Sequence, residues 1–326
     1  MPIDKERGLY HLNLELDERY YEKTVRDGEE GYFSKKDDLF IPVKVLRKTI
    51  EGIRSVPLYY RPPRISDISE YVEESKERAE RLLQVGRELQ MDTSASDVFL
   101  EKNRDRSLNL VVIYIDLMDS TKLSRTLPSD QFKRYIQIFS SEMTYLIDGY
   151  NGYVLKYAGD GVIGFFPTEK NFMGIVDNAV NCALAIKTVI KNALNPILAK
   201  NNLPSITFRI GLDFGESGII ALGVEGIKTT MDLLGYTMNM AAKIQSQAKP
   251  NQIMLGEAIS QNLHSCLKEF CVLQEIPEGW KYTDPISNQP YKFYLLNAKL
   301  SSRGQIEGQK LNLVSIRNRQ PCDLAV

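Results

Sequence analysis

Apolar and polar positions fall into three rhythms along the chain. LNLVVIYID (Leu108–Asp116) is apolar almost throughout and ends on an acid, the pattern of a central strand buried on both faces. Downstream, Phe132, Ile136, Phe139, Met143 and Leu146 recur every three or four residues. That spacing predicts a helix, with Ser129 able to cap its start and Gly149 its end. In GYVLKYAGDGVIGFF (Gly152–Phe166) two apolar arms flank Ala158-Gly159-Asp160-Gly161, a β-hairpin pattern. A second long helix is predicted over Asp177–Ile197, then a strand pair in ITFRIGLDFG and GESGIIALG. A helix at Thr237–Gln247 and strands at Gln252–Leu255 and Lys292–Leu296 complete the series. The order β-α-β-β-α-β predicts an α+β, ferredoxin-like split unit with additions.

Upstream the pattern is weaker. Residues 1–64 form an N-terminal extension whose role is not evident from its sequence. Within it Asp38–Ile53 reads as a strand followed by a short helix, and the adjacent prolines of LYYRPPR (Leu58–Arg64) as an extended linker. Residues 65–105 read as a helical connector. Ile65, Ile68, Val72, Ser75, Ala79, Leu82, Gly86 and Leu89 make a heptad seam there, interrupted at Ser75 and Gly86. Such a seam suits a self-pairing helix, and the competing reading is an amphipathic helix packed on its own domain. Asp92–Ser107 is polar and reads as a connector, residues 106–300 carry the main domain, and the tail 301–326 is polar.

Composition narrows the chemistry. In 326 residues, 41 Lys and Arg face 42 Asp and Glu, for a formal charge of −1. That balance argues against a strongly basic nucleic-acid binder. The apolar run Leu110–Ile115 is far too short to span a bilayer, and MPIDKERG lacks an apolar signal core. A cytoplasmic protein without a membrane partner is therefore expected. The four Cys contain no CxxC pair, and His11 and His264 are the only histidines. A zinc ribbon or a Ser-His-Asp hydrolase is disfavoured, and no P-loop motif occurs. Catalysis would have to use carboxylates, metals, lysines or arginines.

Asp116 ends the first strand and Asp160 sits at the hairpin turn. In a split β-α-β-β sheet these elements are neighbours, so the two acids can converge beside the Asp119-Ser120-Thr121 loop. Two hard cations holding a polyphosphate need such a place. Each acid alone would read as a cap or a turn residue.

Three segments then resemble the signature segments of class III nucleotidyl cyclases: YIDLMDSTKLS (Tyr114–Ser124), LKYAGDGVIGFF (Leu155–Phe166) and MDLLGYTMNMAAKIQ (Met231–Gln245). The likeness runs from about Leu108 to Asn297, in the family's order. It implies a cyclase homology domain needing two divalent cations, Mg²⁺ or Mn²⁺. Asp116 and Asp160 match the metal-binding aspartates, and the Leu117 carbonyl the third metal ligand. Ser120 and Thr121 would lie along the substrate. Lys156 and Asp232 match the base-reading pair, and Asn239 the residue that holds the ribose. The family then has an arginine that steadies the phosphate; here that position is Lys243, a plain departure. A point charge in place of a planar fork predicts weaker clamping, unless Lys281 or Arg209 contributes.

The resemblance further implies a homodimer with shared active sites, one chain giving the metal acids and its partner the base-reading and phosphate residues. The heptad seam would help align the partners. By strand alternation, Lys156 and Asp160 should point the same way, although the family uses them at opposite sites.

For the base, Lys156 can donate to a ring nitrogen and Asp232 can accept from an amine. Adenine presents that pair, guanine does not, and cytosine does. ATP cyclised to 3′,5′-cyclic AMP and pyrophosphate is the expected reaction. Alternatives are a pyrimidine cyclase acting on CTP or UTP, as in antiphage relatives of the family, and a non-catalytic regulator that binds nucleotide.

Overall fold

The computed structural model describes residues 3–4, 9–10, 21–26, 28–34, 39–45, 63–86, 95–168, 172–285, 287–300 and 306–308. The chain divides into two compact units, residues 1–59 and 60–326. The first contains an antiparallel three-stranded sheet of Tyr21–Arg26, Glu29–Ser34 and Leu39–Pro42. Leu39–Pro42 is the strand expected within Asp38–Ile53; residues 46–62, with most of the Pro-Pro linker, lie outside the described residues.

The second unit is built on β1 (Ser107–Leu117), which lies at the centre of an eight-stranded sheet. Helix α1 (Ile68–Val85) and α2 (Ala95–Lys102) precede it. After β1 come α3 (Ser120–Thr126), α4 (Ser129–Gly149) and the hairpin of β2 (Tyr153–Ala158) and β3 (Gly161–Pro167). Next are α5 (Phe172–Val189), a π-helical segment Ile190–Leu194 and α6 (Asn195–Lys200). Then follow β4 (Phe208–Val224), β5 (Lys228–Leu234), α7 (Tyr236–Ser246) and β6 (Gln252–Gly256). Helix α8 (Glu257–Asn262), α9 (Ser265–Lys268), β7 (Cys271–Leu273) and β8 (Phe293–Leu296) finish the sheet. Its order is β7-β8-β6-β4-β1-β3-β2, with β5 also paired to β4. The α+β, ferredoxin-like class read from the sequence is the class observed.

Strand β1 is apolar from Leu110 to Ile115 because both of its faces are covered there. Val111, Ile113, Ile115 and Leu117 join the main core with α1, α4 and α5. Leu110 and Val112 face a second core that includes α2 and α7 residues. Asp116 continues this second face beyond Tyr114, since side chains alternate. Helix α7 lies flush against the same face of β4. A Cβ on Gly211 would come within 2.5 Å of the Ala241 carbonyl and of Gln245, and one on Gly215 within 2.5 Å of Thr237 Oγ1.

Several expectations need correction. The first half of the heptad stripe of α1 faces its own domain: Ile68, Val72, Ser75 and Ala79 are buried there, as the competing reading of an amphipathic helix packed on its own domain has it. Ser75 donates to the buried Glu142 at 2.9 Å, while Arg78 Nε and Nη2 reach the same carboxylate at 2.9 and 3.1 Å. The apparent interruption of the seam is thus a docking point for α4. Leu89 lies outside the described residues. Ser129 is the first helical residue of α4, after Pro128, and makes no capping bond. Gly149 is the last, and its missing side chain leaves room for Ile65.

The polar stretch Asp92–Ser107 contains α2, whose Phe99 and Leu100 are buried. The expected strand pair around Gly215 is one strand of 17 residues. Two of its glycines, Gly211 and Gly215, serve close packing under α7. The long apolar helix extends past Ile197, and a π segment precedes Pro196, which cannot donate to a regular helical ladder. Residues 174–200 are long and apolar enough to cross a membrane by length and composition alone, yet 67% of that apolar window is buried inside the domain. Beyond Leu296, β9 (Ala298–Leu300) pairs with β10 (Ile306–Gly308), and residues 309–326 lie outside the described residues.

Candidate active site

The register of the sheet assembles the first group of residues. Asp116 stands directly opposite Arg209 across the β1–β4 ladder. Arg209 donates to Asp116 Oδ2 through Nη2 at 2.5 Å and Nε at 3.2 Å. Gln245 Nε2, from the buried face of α7, donates to the same oxygen at 3.1 Å. Strand β3 pairs with β1 at Ile115↔Val162, which brings the Gly159-Asp160 turn beside the end of β1. Gly159 adopts φ +65°, a conformation that favours glycine and makes the tight two-residue turn possible.

Asp116, Leu117, Ser120, Thr121 and Asp160 all line one cleft of about 880 Å³. Its wall also carries Asp119, Lys122, Arg125 and Arg209. A smaller cleft of about 330 Å³ shares Ser120, Thr121 and Asp160. The five sequence-derived residues of the metal and loop group are therefore brought together. Lys122 and Arg125 were missed, although their spacing of three on a short helix just after the acid places both on one side. Arg209 was considered only as a substitute cation, and its pairing with Asp116 is a tertiary event.

The donor set fits hard divalent cations. Two carboxylates, a backbone carbonyl and hydroxyls are oxygen ligands of the kind Mg²⁺ and Mn²⁺ take. Among the described residues, no three or more His, Cys, Asp and Glu side chains cluster as a ligand set. Two protein carboxylates leave coordination positions for phosphate oxygens and water, as Mg²⁺ sites in phosphoryl-transfer enzymes do. Lys122, Arg125 and Arg209 give the same cleft the positive charge a polyphosphate requires.

A second group lies elsewhere on the sheet. Lys156 of β2 and Asp232 of β5 form an ion pair. Asp232 is the more enclosed partner, and its Oδ1 also accepts the Leu233 N–H at 2.9 Å. Lys156 lines neither of the two clefts that Asp160 lines, contrary to simple alternation. The ladder is irregular between Val154 and Lys156, and Asp160 belongs to the turn rather than to the strand. Tyr114, two residues before Asp116, is half-buried; burial, and then the charge of Asp232, raise its phenol above the ordinary range.

Asn239 and Lys243 are exposed one turn apart on α7. Neither lines the Asp116 cleft. The Lys243 ammonium lies 6.0 Å from the Tyr282 ring centroid, and Tyr282 meets Trp280 edge-on with centroids 4.8 Å apart. Lys281, between these two aromatics, is exposed and also outside the cleft. The sequence-derived residues thus fall into three places: the Asp116–Asp160 cleft, the Lys156–Asp232 pair and the outer face of α7.

Residues 103–281 match the family model of the adenylate and guanylate cyclase catalytic domain. A cytidylate cyclase of Escherichia coli is 28% identical over 209 residues, covering 60% of this chain and 45% of that protein. A cytidylate cyclase of Staphylococcus aureus is 27% identical over 171 residues, covering 51% and 40%. An adenylate cyclase of Anabaena cylindrica is 24% identical over 172 residues, covering 49% and 32%. The chain thus spans less than half the length of these relatives. The crystal structure of the guanylyl cyclase Cya2 superposes with a TM-score of 0.52 at 17% identity, covering 60% of this chain and 94% of that one. That likeness bears on the fold alone. With the match covering more than half its length, the chain belongs to the adenylate and guanylate cyclase catalytic domain family.

Proposed function

We propose that this chain cyclises a nucleoside triphosphate to its 3′,5′-cyclic monophosphate and pyrophosphate, with CTP as the preferred substrate. The observation that carries the reaction is the convergence of Asp116 and Asp160 on one cleft walled by Lys122, Arg125 and Arg209. In the reaction the ribose 3′-hydroxyl gives up its proton to solvent and its oxygen attacks the α-phosphorus. The bond from that phosphorus to the bridging oxygen breaks, and pyrophosphate leaves. Divalent cations bound at the two acids would acidify the 3′-hydroxyl and offset the charge of the phosphates. Arg209, Lys122 and Arg125 supply fixed positive charge along the triphosphate. Asn239 orients the ribose, and Lys243 offers a point charge to the transition state where an arginine would offer a fork.

The base preference rests on two supports. The Lys156–Asp232 pair offers a donor beside an acceptor, which suits an acceptor ring nitrogen next to an exocyclic amine. Cytosine and adenine both present that edge; guanine and uracil do not. The cytidylate cyclases among the relatives then favour CTP over ATP, reversing the order that hydrogen bonding alone suggested. ATP remains the second reading, on the same pair and on the adenylate cyclase relative.

The separation of the Asp116 cleft from Asn239 and Lys243 supports a two-fold homodimer. In it, each cleft is completed by the base, ribose and phosphate residues of the other copy. The test is incubation of the purified protein with Mn²⁺ and each of the four ribonucleoside triphosphates separately, with products resolved by mass spectrometry. Cyclic CMP as main product is expected. Cyclic AMP as main product would restore the ATP reading, and no cyclic product from any substrate would remove the enzymatic one.

A further inference from the structure

Helix α7 presents two different faces. Asn239 and Lys243 are exposed on one, whereas Gln245, 9% exposed, is turned under the helix. Its backbone is held close to β4, because Gly211 has no side chain to keep the helix away. Gly211 shares its strand face with Arg209, two residues earlier. From this position Gln245 Nε2 reaches Asp116 Oδ2 at 3.1 Å, and Arg209 reaches the same oxygen through two N–H groups. Three donors therefore converge on a single carboxylate oxygen. Among the described residues, none donates to Oδ1.

We propose that Gln245 is a positioning residue for Asp116: its amide pins one carboxylate oxygen so that the other is held toward the cleft for a divalent cation. This rests on the cyclase reading of that cleft. The amide suits the task because it donates without adding charge. An arginine alone can rotate with its carboxylate about the shared ion pair, whereas a third donor from a different element fixes the plane. The reach is also specific. With the helix backbone set by Gly211, a side chain one methylene shorter cannot span to Oδ2. Partners of this kind behind a metal ligand are commonly worth 10- to 100-fold in metal affinity.

The test uses the full chain with Mn²⁺ and 3′-deoxy-CTP, or 3′-deoxy-ATP if ATP is the substrate, because neither has a 3′-oxygen to react. Protein-bound Mn²⁺ is measured by electron paramagnetic resonance after ultrafiltration, as the Mn²⁺ retained with the protein beyond that in the filtrate, which holds free and nucleotide-bound Mn²⁺. Gln245→Met keeps the volume and removes the donor; Gln245→Asn keeps the amide and removes the reach. Both are expected to weaken Mn²⁺ binding about 10-fold or more. With the reactive nucleotide, turnover should recover at saturating Mn²⁺, which a general folding defect would not allow. Folded variants of either kind that bind Mn²⁺ like the wild type would overturn the positioning role alone. A wild-type protein that binds no Mn²⁺ with nucleotide would overturn the cyclase reading, and this inference with it.

Discussion

Asp213 provides a test of the packing beneath α7. It lies on β4, is 1% exposed, and its Oδ1 accepts the Tyr291 hydroxyl at 2.6 Å. Burial pushes its carboxyl up from 3.8 to about 7, against the opposing pull of the hydrogen bonds from Tyr291 and from the Phe214 N–H. Unfolded chains release this proton near 3.8 and the folded protein near 7, so between those values the folded state binds more protons. Stability from this group is therefore full at low pH and is lost as pH rises through about 7. The difference between these two values corresponds to a ceiling on the order of 4 kcal/mol. Asp213→Asn keeps the shape and the acceptor for Tyr291 but carries no charge at any pH. Urea unfolding of both proteins at a series of pH values from 4.5 to 8.5 measures the difference. The variant should gain on the wild type progressively across that range and level off above about pH 8. A difference that stays constant with pH would show that Asp213 is not held in its neutral form, and the reasoning would fail.

Other predictions follow from the same physics. Glu142→Ala strips the buried acceptor from Arg78, Ser75 and Tyr71, and should cost about 3 kcal/mol in urea unfolding; a loss below about 1 kcal/mol would mean that α1 docks by apolar contact alone. Lys243→Arg should match or exceed the wild-type turnover, while Lys243→Ala should lose roughly 10²-fold. Equal rates for all three would place the phosphate-steadying cation elsewhere. Asp160→Ala and Lys156→Ala should each be inactive alone, yet recover about a quarter of wild-type activity when equal amounts are mixed and allowed to exchange subunits. No recovery would argue that each site is built from one chain.

Much of this fold was legible because its signals were local. The unbroken apolar run of β1, the glycine-marked hairpin and the stripe of α4 each carry their own pattern over a few residues. The failures came where a residue's reason lay in a distant partner. The stretch around Gly215 read as a strand pair, yet it is one long strand, in which Gly215 admits Thr237. Ser75 looked like a defect in a seam and instead bonds Glu142, far away in sequence. The acids Asp116 and Asp160 could be proposed as neighbours from topology. Two partners of Asp116 could not, since Arg209 meets it by strand register and Gln245 by helix packing. Lys122 and Arg125 were readable by spacing, but their meaning depended on which way α3 faces.

The most direct measurement is cyclic nucleotide formation from CTP and from ATP at saturating Mn²⁺, comparing wild-type protein with Asp160→Ala of equal thermal stability. The account predicts that the wild type releases one pyrophosphate for each cyclic nucleotide formed and that the variant falls to the uncatalysed background. A variant that turns over at the wild-type rate would mean that the paired carboxylates do not hold the reacting triphosphate, and the proposed chemistry would have to be abandoned.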